Sequence, residues 1–208
     1  MQKQSLILAS RSPRRQEFLS FLGIPFEILS ADVEEKTDLI QPREVAIDLA
    51  CLKARAVWPM LQTRSDYAQT FFPFVIGADT IVVLGDTILG KPRHREEAKK
   101  MLELLSGKTH EVITGISLSY LDLEKKYQKE YKERTFAVST SVTFAPISSR
   151  WLDHYLATGD SMDKAGAYGI QGEALTFIEK INGSYSNVVG FPLTEIIAEM
   201  EKTFFKQD

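Results

Sequence analysis

The run Phe74-Val75-Ile76-Gly77-Ala78-Asp79-Thr80-Ile81-Val82-Val83-Leu84 is the most strand-like stretch of the chain. Apolar and β-branched residues dominate it, which is typical of a strand in the middle of a sheet. An ionised carboxylate in such a place is costly unless it is paired or binds a metal. Asp79 is therefore a candidate metal ligand or general base. A structural aspartate that caps backbone N–H groups at a strand end is the alternative.

Helices and strands alternate around this run and then give way to long strands. Strands are predicted at residues 5–10, 25–31, 74–84, 110–121, 134–145 and 175–181, and helices at 13–22, 42–58, 96–106, 148–157 and 192–205. This order favours an α/β protein in which helices flank a mixed, twisted β-sheet. Since no repeat or linker interrupts the pattern, residues 1–208 are predicted to form a single domain, with a solvated hairpin tip at 122–133.

Composition narrows the class of protein. The 208 residues are 44% hydrophobic and 25% charged, as in folded soluble proteins. The net charge of −3 argues against nucleic-acid binding through a basic surface. No uncharged stretch approaches the ~18–20 residues of a membrane span, and no signal peptide is recognisable, so a cytoplasmic protein is expected. The single cysteine, Cys51, can form neither an internal disulfide nor a cysteine zinc cluster.

The segment Ser10-Arg11-Ser12-Pro13-Arg14-Arg15 begins the first predicted helix. Ser12 suits the N-cap and Pro13 the first helical position. Arginines at this end oppose the helix dipole unless an anion binds beside them. Because free N–H groups, serine hydroxyls and guanidinium groups all match phosphate oxygens, the segment indicates a phosphate site. A solvated helix with two surface arginines is the alternative.

Three further segments carry charges suited to a phosphate or a metal. The lysine of Gly90-Lys91-Pro92 can meet a phosphate as a point charge. Lys53 can do the same, although a lysine in the middle of a helix usually faces solvent. The acidic loop Asp32-Val33-Glu34-Glu35 offers hard oxygen ligands for Mg²⁺ or Mn²⁺, or is simply a charged loop.

A glycine-rich segment spans residues 163–172 and lets backbone approach a ligand closely. The amide of Gln171 can donate to and accept from a nucleobase edge. Tyr168 is a candidate for stacking on a base, although a core tyrosine is the more common role. The three histidines have no metal-ligand spacing, and His94 and His154 are expected to face solvent.

Taken in order, these segments resemble the Maf family of nucleoside triphosphate pyrophosphatases. The similarity covers about residues 5–198, and its seven blocks together are specific although each alone is not. The blocks are Leu8-Ala9-Ser10 with Ser12-Pro13-Arg14-Arg15, Lys53-Ala54, Gly77-Ala78-Asp79-Thr80, Gly90-Lys91-Pro92, Leu105-Ser106-Gly107 with His110, Asp163 to Gly172, and Gly183-Ser184-Tyr185 with Val189-Gly190.

The resemblance implies an inosine triphosphatase-like α/β fold with two lobes, a cleft between them, and a homodimer. It also implies hydrolysis of a nucleoside triphosphate to the monophosphate and pyrophosphate with a divalent metal, Mg²⁺ or Mn²⁺. The Ser-Pro-Arg-Arg and Ala-Asp-Thr forms look like the branch that prefers dTTP and UTP. No nucleic-acid or membrane partner is expected.

Residue roles follow from the resemblance position by position. Asp79 matches the proton acceptor and, with Glu35, is expected to hold the metal. The positions linked to substrate choice are Arg14, Thr80 and Gln171, and the other substrate-binding positions are Ser10, Arg15, Lys53 and Lys91.

Two other functions fit the same residues. One is a non-catalytic nucleotide-binding regulator of cell division or septum formation, and the other is the same chemistry on a modified purine nucleotide such as 7-methyl-GTP. The chain departs from the family pattern at Phe191, where leucine is usual, and in the length of the 122–133 tip. The first departure is expected to adjust packing only.

Overall fold

The structure is a computed structural model that describes residues 4–66, 72–122 and 130–205. Within these residues the strands are β1 (Gln4–Leu8), β2 (Phe26–Ile28), β3 (Phe72–Leu84), β4 (Thr87–Leu89), β5 (Thr109–Asp122), β6 (Glu130–Phe144) and β7 (Ile178–Asn182). The α-helices are α1 (Pro13–Ser20), α2 (Pro42–Gln62), α3 (Arg95–Leu105), α4 (Ser149–Thr158), α5 (Tyr185–Val189) and α6 (Leu193–Thr203). Short 3-10 helices cover Ala165–Ala167 and Glu173–Phe177.

The strands form one mixed sheet with the order β2-β1-β3-β5-β6-β7, and β4 pairs with β3. Strand β1 runs parallel to both β2 and β3, whereas β4 and β7 pair antiparallel with their neighbours. Strand β3 lies inside the sheet, as its apolar sequence predicts. The prediction of an α/β fold with a mixed sheet and flanking helices is confirmed.

Several predicted boundaries are wrong. The strand predicted at 25–31 forms only over Phe26–Ile28. The strand predicted at 175–181 begins at Ile178, because a 3-10 helix precedes it. Helix α2 continues past Pro59 to Gln62, because Leu61 is buried in the core and its packing compensates for the missing N–H of the proline. The sequence predicts neither helix α5 nor strand β4, because each is too short to show a hydrophobic period.

The chain separates into two compact units. The first contains the described residues of 1–79, 115–137 and 193–208, and the second contains those of 80–114 and 138–192. The single domain at 1–208, the cleft and the homodimer stay predictions. The hairpin tip predicted at 122–133 falls mostly on residues 123–129, which lie outside the described residues. In the described part of the chain, no helix is long and apolar enough to cross a membrane.

In the first unit, helix α2 packs on the sheet through two glycines. A Cβ atom on Gly77 of β3 would lie 2.3 Å from the carbonyl oxygen of Ala50, and one on Gly115 of β5 would lie 2.1 Å from that of Ala46. The helix backbone therefore approaches both strands directly. The core beside it consists of Ile7, Ala9, Ala54, Val57, Trp58, Leu61, Val75 and Leu121.

The second unit has an aromatic core. The ring of Phe144 packs edge-on against His110 and Tyr168, with centroid distances of 5.0 and 4.8 Å. Tyr168 is buried and its hydroxyl lies 2.7 Å from His110 Nε2, so the core role of this tyrosine is confirmed. His94 and His154 are largely exposed, as predicted. Tyr168 belongs to the glycine-rich segment at 163–172, so these ring contacts anchor that segment to the core of the second unit.

Candidate functional site

The turn before α1 holds a buried arginine. Ser12 is the N-cap and Pro13 the first helical residue, as predicted, although the Ser12 side chain makes no capping hydrogen bond. Arg15 points inward from the first turn and is only 9% exposed. Its Nη1 donates to the carbonyl oxygen of Ala78 at 2.7 Å and to Ser10 Oγ at 3.2 Å. The helix start is thus tied to the residue that precedes Asp79.

Lys53 joins two carboxylates in the same unit. Its Nζ lies 2.5 Å from Asp79 Oδ1 and 3.1 Å from Glu35 Oε1. The side chains of Asp79 and Lys53 are 9% and 16% exposed, so this ion pair is shielded from water, whereas Glu35 is 42% exposed. Helix α2 supplies the lysine, strand β3 the aspartate, and the acidic loop the glutamate. Lys53 is therefore not the solvent-facing lysine that its position in a helix indicates.

Electrostatics connect Arg15 with this cluster. Burial lowers the pKa of the Arg15 guanidinium, and the negative charges of Asp79 and Glu35 act in the opposite direction. An arginine stays protonated at any physiological pH. The first unit thus gathers two fixed cations around two carboxylates.

The other two acidic residues of the loop form ion pairs away from Lys53. Asp32 forms an exposed ion pair with Arg11, and Glu34 pairs with Lys36. Exposed pairs of this kind contribute little to stability. Of the three acidic residues in the loop, Glu35 is the one that reaches Lys53. Arg14 is half-buried on α1.

The remaining predicted site residues belong to the second unit. The Thr80 hydroxyl lies 3.1 Å from that of Thr114. Lys91 is exposed after β4, and Gln171 is half-buried in the glycine-rich segment. The N–H of Gly166 donates to the carbonyl oxygen of Gly90 at 3.0 Å, so the segments that carry Lys91 and Gln171 are tied together.

Sequence reasoning assigned no role to Lys164, which organises the glycine-rich segment. Its ammonium group donates to Asp160 O, Asp160 Oδ1 and Asp163 Oδ1 at 2.6, 2.8 and 2.6 Å. A Cβ atom on Gly169 would lie 2.7 Å from the lysine stem. Lys164 is 7% exposed and its three protons are used inside the protein. Residues 160–164 form turns and no helix, so local sequence pattern gave no signal for the burial of Lys164.

The residues that could hold a metal are Glu35 and Asp79. Among the residues with described side chains, no group of three or more histidine, cysteine, aspartate or glutamate side chains is arranged to hold an ion. Two carboxylates that converge on one ammonium nitrogen are nevertheless a hard-oxygen pair. Mg²⁺ is commonly held by one or two carboxylates together with substrate phosphates. The donor set therefore fits a divalent cation that binds with a polyphosphate.

A helix N-terminus binds anions, and the arginine and lysine side chains near the start of α1 are the groups that bind phosphate oxygens, so the site is suited to a phosphorylated ligand. Residues 5–203 match the model of the Maf family, described as Maf-like protein. The chain belongs to this family, and the predicted family is confirmed.

Relatives and one solved structure resemble the chain over most of its length. The dTTP/UTP pyrophosphatases of Bacillus thuringiensis subsp. konkukian and Bacillus anthracis are each 42% identical over 200 residues, covering 96% of this chain and 95% of theirs. A crystal structure of a nucleoside-triphosphatase, dITP/XTP pyrophosphatase, from Mycobacterium abscessus covers 95% of this chain and 93% of its own at 11% identity. Its TM-score is 0.41.

Proposed function

We propose that the protein hydrolyses dTTP and UTP to the nucleoside monophosphate and pyrophosphate. The observation that carries this proposal is the cluster in which Lys53 bridges Asp79 and Glu35 while Arg15 is bonded to the residue before Asp79. Attack of water on a phosphoryl group needs a carboxylate base and nearby positive charges, because catalysis of phosphoryl transfer depends on positioning and on electrostatic stabilisation. The names of the relatives support the choice of substrates.

The triphosphate binds at the start of α1. The N-terminus of α1, with the backbone N–H and the guanidinium of Arg14, contacts phosphate oxygens. Arg15 lies on the buried side of this turn, where its hydrogen bonds to Ala78 and Ser10 hold it in place. Its positive charge attracts the phosphates from there. Lys53 neutralises the charge that develops on pyrophosphate as it leaves.

Asp79 takes the proton from the attacking water. Lys53 and Arg15 stabilise its negative charge, and its low exposure excludes competing water molecules. Glu35 and Asp79 hold the divalent cation. When bound, that ion supplies positive charge to the phosphate oxygens and lowers the cost of attack by a water oxygen.

Release of pyrophosphate tests the proposal. The purified protein at nanomolar concentration is given dTTP, UTP, dCTP, CTP, dATP, dGTP and 7-methyl-GTP with Mg²⁺ or Mn²⁺, and the pyrophosphate is quantified. We expect turnover to be fastest with dTTP and UTP. Tight binding of nucleotides without pyrophosphate release would instead favour the non-catalytic regulator, and a preference for 7-methyl-GTP would favour the modified purine.

A further inference from the structure

A buried ion pair contacts the backbone on both sides of Gln171. The ammonium nitrogen of Lys164 lies 2.8 Å from Asp160 Oδ1, and the lysine side chain is 7% exposed. A Cβ atom on Gly169 would lie 2.7 Å from both Cδ and Cε of Lys164. A Cβ atom on Gly172 would lie 3.5 Å from Asp160 Oδ2. Gln171 therefore lies between two glycines, of which one packs on the lysine and the other lies beside the aspartate.

The hydroxyl of Tyr155 connects the same ion pair to the backbone that precedes Gln171. Its oxygen lies 3.4 Å from Asp160 Oδ2 and 3.3 Å from the carbonyl oxygen of Ala167. Burial and the charge of Asp160 raise the pKa of Tyr155, so the hydroxyl keeps its proton and donates. Ala167 has a φ of +62°, a costly left-handed conformation that persists only where neighbouring contacts enforce it. These contacts hold the segment in one conformation.

The ammonium group of Lys164 is fully used inside the segment. Its three protons go to the carbonyl oxygen of Asp160, to Asp160 Oδ1 and to Asp163 Oδ1, at 2.6, 2.8 and 2.6 Å. Lys164 therefore differs from a lysine that contacts a phosphate directly. Any effect it has on a bound nucleotide passes through the backbone that it holds.

Selection of a pyrimidine by Gln171 depends on how its amide is placed. An amide has an acceptor oxygen and a donor NH₂ group. It can pair with O4 and N3–H of thymine or uracil and, after a half-turn, with the amino group and N3 of cytosine. The residue type alone therefore does not separate these bases. A fixed backbone limits the arrangements in which the amide reaches the base.

We propose that Lys164 is a positioning residue that, together with Asp160, fixes the backbone of Gln171 so that its amide pairs with thymine and uracil in preference to cytosine. The proposal rests on the proposed function, because it places the base of dTTP or UTP beside Gln171. The lysine takes no part in the chemical step. Its loss changes which base is accepted more than it changes the attack of water.

Substrate discrimination tests this assignment. The ratio of kcat/KM for dTTP to that for dCTP is measured by pyrophosphate release for the wild type and Lys164→Met, which removes the ammonium group. We expect the ratio to fall by about tenfold, because the released segment lets the amide turn toward cytosine. Lys99→Met is the matched control. It breaks the pair of Lys99 with Asp153, at 3.6 Å in the same unit, and should keep the wild-type ratio.

Gly169→Ala is a second variant that keeps every charge. The φ of Gly169 lies outside the left-handed region, so an alanine does not strain the backbone there. Its methyl group instead displaces the stem of Lys164, and the ratio should fall as it does in Lys164→Met. If Lys164→Met does not fold, the ratio of Gly169→Ala decides between the outcomes.

A double-mutant cycle separates positioning from general damage. If Lys164 acts through Gln171, then Gln171→Ala and Gln171→Ala/Lys164→Met have the same ratio. A further fall in the double variant overturns the positioning role. Equal losses of kcat/KM for both nucleotides in Lys164→Met leave the ratio unchanged and also overturn it, while the proposed function stays intact. A wild type that releases no pyrophosphate from dTTP overturns both.

Discussion

Lys53 Nζ lies 2.5 Å from Asp79 Oδ1, and the two residues come from elements that pack without side chains between their backbones. Gly77 lies two residues before Asp79 and contacts helix α2 one turn before Lys53, at Ala50. The ion pair is therefore set by the distance between a helix and a strand. The proposed base and its cation keep their geometry because two rigid elements carry them.

Asp79→Asn is expected to lower kcat by about 10²- to 10⁴-fold, because an amide cannot take a proton from water. The dissociation constant for dTTP should change much less than kcat, since the arginine and lysine side chains that bind phosphates remain. Pyrophosphate release gives kcat, and calorimetry in the presence of Ca²⁺ gives binding. Asp86→Asn, in the exposed turn between β3 and β4, is the control and should behave as the wild type. Full turnover by Asp79→Asn would remove this residue from the mechanism.

Lys53→Met is expected to destabilise the protein by about 3 kcal/mol, because the buried Asp79 carboxylate loses its ion-pair partner beside Glu35 and keeps only the charge of Arg15. The two carboxylates should then attract a divalent cation more strongly than in the wild type. We expect Mn²⁺ to raise the melting temperature of Lys53→Met by more than that of the wild type, without any nucleotide present.

The matched control for this metal effect is Lys53→Met/Glu35→Gln, which lacks one of the two carboxylates. It should lose most of the additional stabilisation by Mn²⁺. Lys36→Met removes a lysine from an exposed pair with Glu34 and should respond to Mn²⁺ as the wild type does. Equal responses of all four proteins would argue against a cation site at Glu35 and Asp79.

The sequence predicted strand β3 and its aspartate because a buried strand has a local signature, a continuous apolar run. It also predicted the start of α1, since serine and proline act on their own turn. The burial of Lys53 could not be predicted in this way. It depends on how closely α2 approaches the sheet, which Gly77 and Gly115 decide from distant parts of the chain.

The roles of individual polar groups also depend on distant partners. Arg15 could be assigned to a phosphate from its position, but its bond to Ala78 joins residues that are 63 positions apart. The Thr80 hydroxyl shares a hydrogen bond with Thr114, which in turn donates to the carbonyl oxygen of Asn187, 73 positions further along the chain. The local sequence pattern therefore identified the candidate site residues, whereas contacts between distant parts of the chain decide which hydrogen bonds and ion pairs each of them forms.

Gly77→Ala is expected to reduce both stability and activity. The new methyl group would lie 2.3 Å from a helix carbonyl oxygen, so α2 or β3 must shift, at a cost of about 1–3 kcal/mol or more. That shift separates Lys53 from Asp79, and kcat should fall with it. Denaturant unfolding and pyrophosphate release measure the two effects. Gly90→Ala is the stability control, because a Cβ atom there meets nothing within 4 Å.

Buried His110 is expected to make stability fall with decreasing pH. Burial lowers the pKa of this side chain to about 4, from an ordinary value of 6.5. The unfolded chain therefore binds a proton near pH 6.5, while the folded protein does not bind one until about pH 4. The contribution of neutral His110 to stability is complete above pH 6.5, declines as the pH falls, and is fully lost below about pH 4.

The size of this effect follows from the two pKa values. Between pH 7 and pH 5 the free energy of unfolding of the wild type should fall by about 2 kcal/mol more than that of His110→Phe, which cannot titrate. Denaturant unfolding at the two pH values measures the difference. Phe177 is buried, and its ring centroid lies 6.2 Å from that of Phe144. Phe177→Leu therefore changes the same aromatic core without altering a titratable group, so its destabilisation should be equal at both pH values. Parallel pH profiles for the wild type and His110→Phe would show that the histidine is not buried in its neutral form.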